Sequence, residues 1–181
     1  MSTRSFICKE TPDGRYFGIY CHSDGYLTYN GALLVDHYSD AEKVDKLIAL
    51  GDLSVLAEKI DPDPSRPHSF EYNERQDDVC VAYTRDRKEK AEDTRARFLT
   101  PQDALESWGE YMYVFGQDGV WRYFDLCADE EPVLHDVKED LAKEYKRMGF
   151  IEPPKDCYGF WSEQSVAEYN AEIRKKAGVL Q

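Results

Sequence analysis

The sequence lacks the features that mark a membrane, metal-binding or disulfide-bonded protein. No apolar run approaches the length of a membrane-spanning helix, and the residues after Met1 are polar, unlike a signal peptide. The five cysteines are scattered and include no Cys-x-x-Cys pair, the usual zinc or redox motif. We therefore expect a cytoplasmic protein with reduced thiols, without membrane contact and without a metal or other cofactor.

Familiar catalytic motifs are also missing. There is no Gly-x-Ser-x-Gly, no P-loop, no His-Glu-x-x-His and no dinucleotide-binding glycine pattern. His22, Asp24 and His37 could still form an acid–base or metal cluster, because imidazole and carboxylate groups suit a divalent ion. Alternatively, His22 and Asp24 only shape a turn through side-chain hydrogen bonds to the backbone. The spacing favours the turn, and no catalytic residue is assigned.

Basic residues are scarce relative to acidic ones. The 181 residues include 23 Lys and Arg against 36 Asp and Glu, which gives a formal net charge of −13. Such a surface repels nucleic acid and anionic membranes and attracts basic partners. We therefore expect no direct sequence-specific binding to nucleic acid.

Aromatic residues are abundant, with 13 tyrosines, and they concentrate in segments that alternate like strands. Two hairpins are predicted, with strands at residues 6–9 and 15–21, and at 111–115 and 120–126. The second hairpin closes at Asp118-Gly119, and it could support a homodimer. Its rings Tyr111, Tyr113 and Trp121 are candidate anchors for a partner, since aromatic side chains dominate binding energy.

Amphipathic patterns and capping residues predict several helices. These are residues 32–35, a helix capped by Ser39 and ended by Gly51, residues 53–60, a helix from Thr100, a long helix from Pro132 to Gly149, and one from Ser162. The mixed-charge segment 85–97 is predicted to be solvated. The sequence thus predicts an α+β fold, with antiparallel hairpins packed against amphipathic helices.

We expect one domain over residues 1–181. Residues 61–68 are rich in Pro and Asp, so they cannot form a helix or a central strand. They are predicted to be a flexible connection between an N-terminal and a C-terminal lobe.

Two acidic sets are candidates for docking to a basic groove. The first lies along the predicted long helix and comprises Asp136, Glu139, Asp140 and Glu144. The second is the pair Asp77 and Asp78. The alternative is that these carboxylates only keep an exposed face solvated.

A set of N-terminal segments carries a resemblance to a known group of proteins. The segments are residues 2–7, 18–26, 29–31, 37–40, 43–44 and 47–54. They resemble a family of small acidic proteins carried by phages and mobile elements of Firmicutes, and within it the type II-A anti-CRISPR proteins. The resemblance implies a non-enzymatic binder that engages Cas9 with its guide RNA and inhibits target DNA binding or cleavage. Two alternatives remain: a mobile-element hydrolase centred on His22, Asp24 and His37, and a phage housekeeping or structural module.

Overall fold

A mixed β-sheet with helices on both faces forms the molecule. The structure, a computed structural model, describes residues 2–178. Its strands are β1 (Ser5–Glu10), β2 (Tyr16–Cys21), β3 (Leu53–Val55), β4 (Val81–Ala82), β5 (Arg97–Leu99), β6 (Tyr111–Phe115), β7 (Trp121–Asp125) and β8 (His135–Asp136). Its α-helices are α1 (Ala32–His37), α2 (Ala41–Ala49), α3 (Tyr83–Arg87), α4 (Ala91–Thr94), α5 (Pro101–Glu106), α6 (Val137–Met148) and α7 (Glu163–Lys176), and a π-helical turn spans Leu27–Gly31. The predicted α+β class is confirmed.

The strand order is β4-β3-β2-β1-β6-β7-β8, and β5 also pairs with β2. Both predicted hairpins are present, because β1 pairs antiparallel with β2 and β6 with β7. The two hairpins join through a parallel pairing of β1 with β6, in which Ser5 lies opposite Tyr111. Strands that precede residues 61–68 and strands that follow them therefore share one sheet.

The two faces of the sheet bury separate apolar clusters. The larger cluster lies on the face that carries Ile7 and Ile19, and helices α1, α2, α6 and α7 cover it. The smaller cluster gathers Phe6 and Cys8 against Met112, and Ala104 of α5 packs there. Within residues 2–178, no helix combines the length and the apolar character that crossing a bilayer requires.

One carboxylate fills a gap in the sheet beside β2. The outer edge of β2 pairs with β5 over Tyr16–Gly18 and with β3 at Cys21. Between these pairings, the Tyr20 amide donates to Oδ1 of Asp52 at 2.8 Å, in place of a strand partner. Because an unpaired buried amide is costly, this side chain completes the sheet where β3 and β5 diverge.

Further contacts hold Asp52 itself in place. Arg97 donates to the same Oδ1 at 2.9 Å, and the Asp52 amide donates to the Thr94 carbonyl at 2.7 Å. Burial raises the pKa of the Asp52 carboxyl, while the Tyr20 amide and the Arg97 guanidinium act in the opposite direction. Asp52 therefore links β2, β5 and the end of α4.

The N-terminal helices differ from the sequence prediction at two points. Asp40, rather than Ser39, caps α2, because its Oδ1 accepts the Lys43 amide at 2.9 Å. The predicted helix over 53–60 is wrong. Its first residues form β3, since pairing with β2 and β4 outweighs local helix preference.

Two predictions in the second half are also corrected. The helix expected from Pro132 begins at Val137, because Asp136 caps it and residues 135–136 pair with β7 as β8. The segment 85–97 is not uniformly solvated. Arg85 donates to Asp86 at 2.8 Å and to the Ile60 carbonyl at 2.7 Å, and Asp86 is buried.

Replacing Asp52 tests whether its carboxylate stabilises the sheet where β3 and β5 diverge. We expect Asp52→Ala to lower the free energy of unfolding by about 2–3 kcal/mol, because the Tyr20 amide loses its acceptor and Arg97 its partner. Asp52→Asn keeps an acceptor oxygen and should cost clearly less. Denaturant unfolding of the two variants measures the difference. Equal losses would mean that the Tyr20 amide does not depend on this side chain.

Candidate functional site

The acidic residues of α6 do not form an unbroken negative face. Lys143 donates to Asp140 at 2.6 Å. Arg147 donates to both oxygens of Glu144, at 2.8 and 2.6 Å, and these hydrogen bonds hold the pKa of Glu144 below its usual value. Two of the four predicted docking carboxylates are thus neutralised by cations one helical turn away.

The remaining predicted acids have mixed roles. Asp136 is a helix cap whose Oδ1 accepts the Glu139 amide at 2.9 Å, while the Glu139 side chain is exposed. Asp78 forms an ion pair with Lys59, and Asp77 is exposed. Three candidates, Asp136, Glu139 and Asp77, consequently have no ion pair within the described part of the chain, and of these Glu139 and Asp77 are exposed.

The predicted aromatic anchors lie mostly in the core. Tyr113 and Trp121 are buried, and each is tied to the backbone: the Tyr113 hydroxyl donates to Gly25 and the Trp121 indole to Tyr38, both at 2.8 Å. Tyr111 is half-buried. The expectation that Tyr113 and Trp121 are surface anchors is wrong, because α6 packs over this side of the hairpin. Self-association of the hairpin would have to use other residues.

His22, Asp24 and His37 do not converge on a common site. His22 Nδ1 hydrogen-bonds with the Tyr20 hydroxyl at 2.9 Å, and His37 Nε2 with the Tyr158 hydroxyl at 2.6 Å. Asp24 has a positive φ of 55°, and partial burial raises the pKa of its carboxyl. Among residues 2–178, no group of three or more His, Cys, Asp or Glu could hold a metal ion.

The sequence interpretation overlooked Trp108, which follows the short helix α5. The helix ends in a Schellman motif, in which the Gly109 amide donates to Ala104 at 2.9 Å and the Trp108 amide to Leu105 at 3.0 Å. Trp108 occupies the left-handed position with a φ of +64°. A side chain there costs about 1–2 kcal/mol relative to glycine, which usually takes this place.

The neighbouring glycine, Gly109, is required for a different reason than a left-handed backbone. A Cβ atom at Gly109 would lie 2.9 Å from the Ala104 carbonyl oxygen and 2.9 Å from the Phe6 ring. Gly109 therefore serves the close approach of the chain to Phe6, and the left-handed position falls on the preceding residue, Trp108. The pair Trp108-Gly109 is visible in the sequence, but glycine preference alone would assign the left-handed position to Gly109.

Little of the Trp108 side chain is buried within its own chain. It is 77% exposed, and Leu105 on the last turn of α5 is 44% exposed. Together with Arg4, Tyr20 and Ser107, Trp108 lines an open cleft of about 460 Å³. Packing of the Trp108 side chain against the rest of the chain therefore does not compensate for the strain in its backbone. Strain of this kind concentrates at functional sites, and Trp is the residue most enriched at binding hot spots.

Comparisons with known proteins identify no family. No family model matches the chain, and no solved structure matches it. A stretch of 75 residues is 36% identical to the human ATP-dependent DNA/RNA helicase DHX36, over 39% of this chain and 7% of the helicase. A similarity that spans so little of either protein does not indicate an enzymatic activity.

Substitution of Trp108 tests the strain. Trp108→Gly should be more stable than Trp108→Ala by about 1 kcal/mol, because alanine keeps the strained Cβ whereas glycine removes it. Thermal and denaturant unfolding of the two variants provide the measurement. If the alanine variant were the more stable, the left-handed backbone at this position would carry no strain.

Proposed function

We propose that this chain is a non-catalytic binding protein of the host-cell cytoplasm, and that its partner is Cas9 loaded with guide RNA. In this proposal, binding prevents Cas9 from capturing or cleaving target DNA. The identity of the partner comes from the resemblance of the N-terminal segments. The observation that supports a binding surface is Trp108, an exposed aromatic side chain held in a strained backbone conformation.

The overall charge supports attraction to such a partner. Cas9 holds its guide–target heteroduplex in a positively charged channel, and a net charge of −13 would steer this chain toward it. Since Asp140 and Glu144 are already paired with Lys143 and Arg147, the attraction would come from the summed charge rather than from α6 alone. The summed charge accelerates the encounter of the two proteins, and this attraction weakens as the salt concentration rises.

Charge alone does not hold a complex together, so a desolvated anchor is also needed. Trp108 can provide one, because most of its side chain is exposed and is therefore free to be covered by a partner. Leu105 extends the apolar surface, and Arg4 provides a hydrogen-bond donor in the same cleft.

No observation favours the hydrolase alternative. His22 and His37 contact separate tyrosines, and Asp24 has a positive φ. General acid–base catalysis needs a catalytic group within hydrogen-bond reach of the proton that it transfers.

Capture of the chain on immobilised Cas9 with guide RNA tests the proposal. We expect retention at low salt that weakens as salt rises, and we expect Trp108→Ala to weaken binding about 30-fold or more, as for an aromatic hot spot. Tyr72→Ala is the matched control, because Tyr72 is also a highly exposed aromatic residue but lies outside the cleft. A parallel DNA-cleavage assay reports inhibition.

The outcomes separate the partner from the surface. Absence of any association at low salt would eliminate guide-loaded Cas9 as the partner. If Trp108→Ala bound normally, Cas9 would remain the proposed partner, but the Trp108 cleft would be excluded as the contact surface. Charge reversal at Glu139 and Asp77, the exposed candidate acids without ion pairs, should weaken binding mainly by slowing association.

A further inference from the structure

A second cavity, of about 420 Å³, opens on the opposite side of the aromatic hairpin from α5, beside α6. Its volume lies in the range of small-molecule pockets. Four segments of the chain meet there: the π-helical turn, the open end of the β6–β7 hairpin, α6 and the loop before α7. The side chains that matter for its chemistry are Tyr26, Tyr111, Tyr123, Asp125, Glu144 and Arg147.

The fold brings rings and carboxylates together at this place. Tyr111 and Asp125 are opposite each other in the antiparallel register, so a carboxylate adjoins a ring at the open end of the hairpin. Tyr26 is the residue that precedes the π-helical turn Leu27–Gly31. Such turns are rare, and they occur frequently at functional sites.

Aromatic rings form one wall of the cavity. The ring centroids of Tyr111 and Tyr123 are 6.1 Å apart at an interplanar angle of 42°. Aromatic faces attract organic cations, and groups of several rings are the usual recognition element for alkylammonium groups.

A single carboxylate in the cavity remains available for a ligand. Glu144 is engaged by Arg147 through two hydrogen bonds. Asp125 uses Oδ1 to accept the amides of Cys127 and Ala128, at 3.1 and 2.9 Å, which fixes its orientation. Its Oδ2 makes no hydrogen bond or ion pair within residues 2–178.

The cavity is electrically negative while its phenols stay neutral. Burial, followed by the charge of Asp125, raises the pKa of Tyr111 to about 12. Burial, followed by the charge of Asp24, raises the pKa of Tyr26 to about 12. Both rings therefore keep their protons at neutral pH, and because Arg147 pairs with Glu144, Asp125 gives the cavity lining its net negative charge.

We propose that this cavity binds an organic cation with a guanidinium or alkylammonium head, which lies against the tyrosine rings and pairs with Asp125. A flat or methylated cation suits the site better than a metal ion, because no metal-binding group of side chains is present in the described part of the chain. The proposal does not depend on Cas9, and it concerns a different surface from the Trp108 cleft.

Titration of the full chain with a matched pair of probes tests the site. N-acetylarginine methylamide carries the cation, and N-acetylcitrulline methylamide is its uncharged isostere. By calorimetry and by NMR shifts of the tyrosine rings, we expect saturable binding of the arginine probe and at least about tenfold weaker binding of the citrulline probe. Agmatine and an arginine-containing peptide, tested alongside, distinguish a free small molecule from a protein segment as the source of the cation.

Two variants locate the binding. Asp125→Asn should weaken binding of the arginine probe about tenfold. The neutral side-chain amide can still accept hydrogen bonds from the Cys127 and Ala128 backbone amides, but it no longer forms an ion pair with a cation. Glu139→Gln makes the equivalent change at an exposed position outside the cavity, and it should leave binding unchanged. Tyr111→Phe keeps the ring and should bind normally, whereas Tyr111→Leu should weaken binding.

Several results would overturn the proposal. These are equal affinity for the arginine and citrulline probes, no saturable binding of either, unchanged affinity in Asp125→Asn, or shifts of the same rings by inorganic phosphate instead. If Tyr111→Leu fails to fold, Asp125→Asn and the citrulline comparison decide the matter without it.

Discussion

The hydrogen bond from the Tyr20 amide to Asp52 is the constraint on which the arrangement around β2 depends. Where β3 and β5 part, this bond replaces a missing strand partner, and Arg97 and Thr94 hold the carboxylate in position. Tyr20 also lines the cleft beside Trp108. By accepting the Tyr20 amide at the edge of the sheet, Asp52 therefore helps to position the Tyr20 ring, which forms part of the candidate binding surface around Trp108.

Helix α6 decides which of the suspected functional residues reach the surface. By packing over the hairpin, it buries Tyr113, whose position on an alternating strand does not reveal which face is covered. Through its own cations, it neutralises Asp140 and Glu144. Charge and aromatic anchoring are consequently divided between different parts of the molecule: charge is spread over the whole surface, whereas exposed rings are confined to a few places.

Local signals in the sequence predicted much of the secondary structure. Both hairpins follow from alternation and turn residues, and the helix expected from Thr100 is α5, which Thr100 caps. The features that sequence could not supply are those set by distant contacts. Strand β3 pairs with both β2 and β4, and Asp52 accepts the Tyr20 amide of another strand. Gly109 lies close against the Phe6 ring, while Trp108 takes the left-handed position. The proposed cation cavity likewise joins residues from four separate segments.

The parallel pairing of β1 with β6 has a consequence for how the chain is made. Its first contact joins Ser5 to Tyr111, so the centre of the sheet cannot form until β6 has left the ribosome. At typical bacterial and eukaryotic elongation rates, the β1–β2 hairpin waits roughly 5–20 s for that partner. During this interval no strand pairs with one edge of β1, and such an open edge is a template for pairing with another chain, including one on a neighbouring ribosome.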